Sequence, residues 1–265
     1  MYSALATLID RLDNPAMDEV GIIRWGCPVP SFGDLPKAKL ATLGLNPSNR
    51  EFVDEKGQEL DGPLRRFHTL NSLGLKSWAE VDAWHLRSII DSCCSYFSNN
   101  PYDAWFKRLD QVVSSTGVSF YGRQSEAAHL DLIPYATEHK WTELSARQRS
   151  TLLNVAADTL ALLLRDSLVR VLLLNGQSVI SNFEEIAGIR LQREHIPDWS
   201  LARAEKPHVA GFSYRGKVDM ISGVSLGHEV LVLGYNHNLQ SSFGVTKEVI
   251  QAISEWVASS TSGAL

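Results

Sequence analysis

A chain of 265 residues, 44% hydrophobic and 21% charged, is long enough to bury an α/β core and lacks the composition of a disordered or fibrous protein. Its net charge of −5 and pI of about 5.9 argue against a protein that coats nucleic acid through bulk charge, while leaving room for a local basic patch. Three cysteines, Cys27, Cys93 and Cys94, are too few for a four-thiolate zinc or iron–sulfur site. They read as reduced thiols in a cytoplasmic protein, and no metal or other cofactor is expected. The N-terminus lacks a basic region and no apolar run is long enough for a bilayer, so neither a signal peptide nor a membrane span is expected.

In chain order, Leu5, Leu8, Ile9 and Leu12 give residues 2–12 a helical stripe. Residues 40–45 are mostly apolar and stop at Asn46-Pro47, which predicts a buried strand ending in a loop. Helices are predicted over 78–97 and 101–114, and a short strand over 130–133, halted by Pro134. Residues 145–164 predict a helix capped by Ser145, followed by a strand over 168–174 that ends at Asn175-Gly176. Residues 211–216 read as a hairpin turn, 216–226 as one arm of a hairpin and 229–233 as a strand. The last helix is predicted over 244–258, with a frayed Ser/Gly-rich tail over 258–265. Short apolar strands alternating with amphipathic helices predict one domain over 1–265, a three-layer α/β/α fold with a central, mostly parallel sheet. Its chemistry should gather in loops beyond the carboxyl ends of the strands.

Three segments fit that position: Gly44-Leu45-Asn46-Pro47-Ser48-Asn49, His129-Leu130-Asp131-Leu132-Ile133-Pro134 and Asn236-His237-Asn238-Leu239-Gln240-Ser241-Ser242. Each has an ordinary structural reading: Asn-Pro-Ser is a common turn, Asp131 could cap a helix, and His237 could be a satisfied core histidine. Their joint occurrence at strand ends favours a shared pocket.

The first segment resembles the opening motif of the uracil-DNA glycosylase superfamily, especially the G-I-N-P-G form of its mismatch-specific branch. His237-Asn238-Leu239-Gln240-Ser241-Ser242 resembles the second motif, agreeing best at His237 and a final serine, and the strand and turn ending in Asn175-Gly176 resemble the segment before it. The resemblance spans residues 40–256. It implies a monofunctional glycosylase acting as a monomer on a nucleotide flipped out of DNA. By that resemblance Asn46 positions water, His237 donates to the base O2, and Ser241 and Ser242 contact flanking phosphates. Gly44, Leu45, Pro47 and Asn238 shape the substrate site around them.

Asp131 departs from the uracil-cleaving branches, which carry an asparagine there. A carboxylate repels O4 of uracil but accepts from the N4 amino group of cytosine, and takes two hydrogen bonds if N3 is protonated. Ser48 stands where strictly uracil-specific enzymes have a bulky tyrosine, so it either leaves space beside C5 or simply fits a tight turn. Together these residues point to a C5-modified cytosine, such as the glucosylated hydroxymethylcytosine of phage DNA, and to antiviral defence. Phe52 is a candidate to stack on the base, and Tyr135 and Trp141 to line the pocket. Arg50, Arg65, Arg66 and Lys140 are candidates to hold phosphates. Two alternatives stay open: a uracil or mismatched-thymine glycosylase, and a non-catalytic DNA- or partner-binding protein with the same fold.

Overall fold

A computed structural model describes residues 1–122, 126–202 and 208–265. Its centre is a six-stranded sheet in the order β2-β1-β3-β6-β5-β4, formed by β1 (Leu40–Gly44), β2 (Ala127–Asp131), β3 (Val171–Asn175), β4 (Gln192–His195), β5 (Phe212–Ile221) and β6 (Val224–Tyr235). The neighbours β2-β1, β1-β3 and β3-β6 are parallel, while β5 and β4 extend the sheet antiparallel. The chain is thus a three-layer α/β/α fold with a mostly parallel sheet.

The period of two along each strand divides the core. Leu40, Ala127, Val171, Leu173, Leu231 and Leu233 face one side. Ala41, Leu43, Ala128, Leu130, Leu172, Leu174 and Val232 face the other. The first side is covered by α1 (Tyr2–Asp10), α3 (Ala83–Cys94), α4 (Asp103–Val113), α5 (Ala146–Ala156) and α8 (Lys247–Thr261), with the single turn α2 (Leu70–Leu73) at its margin. The second is covered by α6 (Thr159–Arg165) and α7 (Gln177–Ala187). Buried on both faces, β1, β2 and β3 have no exposed position, which is why they read as continuous apolar runs.

Several boundaries differ from expectation. The helix expected over 145–164 breaks into α5 and α6 around Asp158, where Arg11 pairs with the Asp158 carboxylate at 2.8 Å and donates to Thr159 Oγ1 at 3.0 Å. Ser145 does cap α5, accepting from Gln148 N, with Gln148 returning the bond. The hairpin turn is not at 211–216, because β5 begins at Phe212; the chain reverses at Ser222-Gly223, both at positive φ. Nor does the C-terminal segment fray from residue 258. Helix α8 continues to Thr261, which is buried and bonds back to Val257 O, and Ala264 packs on the core. No helix among the described residues is long and apolar enough to cross a membrane.

Candidate functional site

The carboxyl ends of the parallel strands lie in one register row: Asp131 pairs with Gly44, and Asn175 pairs with Tyr235, one step beyond the Leu43–Leu174 pair. Alternation turns Asp131, Gly44, Asn175 and Tyr235 to the same face, the one covered by α4 and α8. One pleat earlier on that face stand His129 and Thr42, paired in register.

At Gly44 the absence of a side chain makes space. Its backbone φ is ordinary, but a Cβ there would lie 2.4 Å from Asp131 Oδ1 and 3.0 Å from His129 Nε2. The Asp131 side chain therefore crosses over the end of β1. His129 Nε2 stands 3.4 Å from Asp131 Oδ1, and His129 Nδ1 is 2.7 Å from Thr42 Oγ1. Phe32, Trp105 and Phe106 enclose the imidazole, with ring centroids 5.3, 4.9 and 5.4 Å away. Asp131 is 4% exposed, and no hydrogen bond to it forms among the described residues beyond that approach of His129. A short carboxylate with unused acceptor capacity, backed by a fixed imidazole, is suited to receive donors from a planar heterocycle.

The loop after β1 is tied to the loop after β2 by Leu132 N→Gly44 O and Ile133 N→Leu45 O. Asn46 is half-buried; its Nδ2 donates to Thr137 Oγ1 at 2.9 Å and to Pro47 O at 3.1 Å. Oδ1 carries no hydrogen bond among the described residues, so it is the end of the amide left to hold water. Asn46, Pro47, Ser48 and Asn49 face Thr137, His139, Lys140 and Trp141 across a groove of about 170 Å³. Ser48 lines that groove and also takes the turn role open to it: its Oγ accepts from Arg50 N, capping the short turn Asn49–Glu51.

Other expected members of the pocket lie elsewhere. Phe52 is 1% exposed and packs over the backbone of Gly26, between Trp25 and Phe67, so it cannot stack on a base. Tyr135 is likewise buried, its hydroxyl donating to Leu8 O at 2.8 Å, and it braces α1 rather than the groove. Arg66 is drawn inward, donating to Asn100 O and Arg50 O, and Arg50 turns to Asp54 O and Glu55.

His237 needs the largest correction. It is 2% exposed and its Nε2 lies 2.7 Å from Trp199 O, a contact that only a ring N–H can make favourable. Burial lowers its proton affinity, only partly offset by the Trp199 carbonyl, which favours the neutral ring and leaves Nδ1, with no hydrogen bond among the described residues, as an acceptor. As placed, it offers no donor for a base oxygen. The second motif approaches the site by another route. Asn175 accepts from Leu239 N and donates to Gln240 Oε1 at 2.8 Å, and Gln240 Nε2 donates to Trp105 O, behind the ring that packs on His129. Asn238 shapes the turn, its Oδ1 accepting from Gln240 N and Ser241 N. Ser241 is exposed and Ser242 half-buried, ahead of Phe243, which is 80% exposed.

Two buried groups escaped the sequence reading. His129 opens the second strand-end segment with no role assigned to it; the available signal is its i, i+2 relation to Asp131 on a strand, which puts both on one face. Glu51, 3% exposed, lies on the turn just past Asn46 and accepts from Tyr96 Oη at 2.9 Å. No group of three or more His, Cys, Asp or Glu among the described residues is arranged to hold a metal ion. Tyr235 Oη is fully buried without a hydrogen-bond partner among the described residues. Tyr235→Phe is therefore expected to raise stability, by about 1 kcal/mol in denaturant unfolding, because it removes an unmet polar group and keeps the ring.

Comparison with protein-family models and with curated proteins finds no match to this chain.

Proposed function

We propose that the protein is a monofunctional DNA glycosylase that hydrolyses the N-glycosidic bond of a flipped-out, C5-modified cytosine, a chemistry suited to defence against phage with modified DNA. The observation that carries this reading is the Asp131 carboxylate lying across Gly44, with free acceptor capacity, beside the loop that presents Asn46 Oδ1. Asp131 takes the N4 amino group and, once N3 is protonated, the N3–H as well. Asn46 holds the attacking water without being able to abstract its proton. Ser48, a small side chain on the groove wall, leaves the C5 side open. Asp131 does not line the groove of about 170 Å³, so the Asn46 and Trp141 loops must part for a base seated there to reach its carboxylate.

The protein's acidity does not oppose this reading, because the contacts required are local. A cleft of about 490 Å³ near the segment bearing exposed Phe243 is lined in part by Lys247, by Arg108, which donates to Val245 O, and by Lys107, which is paired with Asp103 in the same lining, so it supplies a local concentration of cations beside a ring for stacking.

An excision assay on oligonucleotides carrying uracil, cytosine, 5-hydroxymethylcytosine and its glucosylated form tests the reading. Release of a modified cytosine is expected, with Asn46→Ala slowing it by about 100-fold. Asp131→Asn should shift preference towards uracil, since an amide presents a donor to O4; an unchanged preference would refute the role given to Asp131.

A further inference from the structure

We propose that Thr137 is a positioning residue for Asn46: its hydroxyl holds the nitrogen end of the Asn46 amide and so keeps Oδ1 free to meet the attacking water. The part this plays in excision rests on the glycosylase reading above; the orientation of the amide does not.

The oxygen and nitrogen of an asparagine amide have nearly the same shape, so the neighbours decide which goes where. Thr137 Oγ1 donates to His139 O at 2.6 Å. A backbone carbonyl can only accept and a hydroxyl has one proton, so Thr137 Oγ1 presents lone pairs alone towards Asn46. Pro47 O is a second obligate acceptor at the same end of the amide. Only Nδ2, with two N–H groups, satisfies both, at 2.9 Å from Thr137 Oγ1 and 3.1 Å from Pro47 O. A flipped amide would set Oδ1 against two acceptors.

Thr137 can fix its neighbour because it is fixed itself. It is 2% exposed, and the chain on both sides of it is stitched to residues 21–23. Ile23 N donates to Ala136 O, Glu138 N donates to Gly21 O, and Thr137 bridges Ile22 antiparallel. Asn49 Nδ2 donates to Glu138 O at 3.1 Å, tying the far end of the Asn46 loop to the same segment. Pro47 O belongs to the next residue and moves with Asn46, so Thr137 is the anchor from outside the loop. Both Asn46 and Thr137 line the groove of about 170 Å³.

The orientation decides what the water can do. A water that donates to Oδ1 keeps both lone pairs, one of them for C1′. A water that accepted from Nδ2 would spend a lone pair on the amide. In the reaction the water oxygen bonds C1′, the C1′–N1 bond breaks with its electron pair passing to N1, and one proton of the water passes to solvent. The base, already protonated at N3, departs neutral. Asn46 takes no proton in this step, so its contribution is placement, and the placement depends on Thr137.

The test compares wild type, Thr137→Val, Thr137→Ser, Asn46→Ala and the double variant Asn46→Ala with Thr137→Val. Valine keeps the branched shape and removes the hydroxyl, whereas serine keeps the hydroxyl. Hydrogen exchange of the Asn46 side-chain amide is read by NMR on the full chain carrying isotope-labelled asparagine, its signal identified by its loss in Asn46→Ala. Slow exchange is expected in wild type and exchange about tenfold faster in Thr137→Val. On whichever modified-cytosine oligonucleotide wild type cleaves fastest, Thr137→Val should lower kcat by about tenfold with KM and melting temperature held, and Thr137→Ser should recover most of that loss. In the Asn46→Ala background Thr137→Val should cost nothing further, because it acts through that amide. Thr137→Val with wild-type exchange or wild-type kcat overturns the assignment, as does an equal loss in both backgrounds, the mark of a merely structural hydroxyl. Fast amide exchange in wild type overturns it whether or not Thr137→Val folds. If exchange follows expectation but wild type releases no base from any of the four oligonucleotides, the glycosylase reading falls while the amide orientation stands.

Discussion

Gly44→Ala is expected to cost about 1–3 kcal/mol of stability and to lower base release by about 100-fold, the largest effect of any single methyl group at the site. The added Cβ would meet Asp131 Oδ1 at 2.4 Å and His129 Nε2 at 3.0 Å. Neither neighbour can easily give way. His129 is fixed by Thr42 and enclosed by aromatic rings, and Asp131 is a short side chain at the end of β2, an outer strand paired in register with β1. Asp131 must therefore rotate off the end of β1, where its acceptors are directed. Denaturant unfolding and single-turnover excision on the same preparation measure the two effects. Because φ at Gly44 is ordinary, the cost is one of space and not of backbone strain; a Gly44→Ala protein with wild-type excision would show that Asp131 need not lie across the strand.

The Glu51 contribution to stability should fall as pH rises from 4.5 to about 7, against the opposite trend from His68 and His237, whose proton affinities burial lowers, and Glu51→Gln should remove that contribution. Glu51 titrates from the usual 4.5 when unfolded and from about 7 when folded, chiefly because burial disfavours its charge. Over that window the folded chain holds a proton on Glu51 that the unfolded chain has released, so the Glu51 contribution to unfolding free energy has a negative slope with pH. The contribution is fully present below 4.5 and lost once pH passes about 7. At about 1.4 kcal/mol for each tenfold change in proton affinity, the loss is on the order of 3 kcal/mol. Unfolding free energies measured by urea at several pH values, for wild type and Glu51→Gln, give the difference directly. Parallel curves for the two proteins would mean that Glu51 is already ionised in the folded state at acid pH.

The strands that build the site were legible because their sequences are shaped by burial on both faces. Residues 40–45 and 168–174 read as apolar runs, and their ends at Asn46-Pro47 and Asn175-Gly176 marked where loops begin. Edge strand β4 escaped because Gln192–His195 is polar and exposed throughout, as befits a guarded sheet edge. Helix α7 was hidden behind Asn175-Gly176, which reads as a turn, although Val179, Ile180 and Phe183 carry its buried stripe. The break between α5 and α6 depends on Arg11 from the far end of the chain, which no local pattern can report.

At the site, sequence order brought Asn46 and Asp131 to adjacent strand ends, which parallel pairing of β1 and β2 made spatial neighbours. It misjudged side chains whose direction depends on distant partners. Phe52 and Tyr135 turn into the core because Gly26 and Leu8 O offer them better places than a groove. His237 turns to Trp199 O, a contact between residues 38 apart in sequence. Glu51 carries no local signal of burial, because Tyr96 and Arg66 reach it from two other segments.

The most direct measurement is base release by the purified chain from the four-substrate oligonucleotide panel, read as free base and as an abasic strand. Release of a C5-modified cytosine, with uracil favoured only after Asp131→Asn, is the predicted result. Uracil release by wild type without any modified-cytosine release would contradict it.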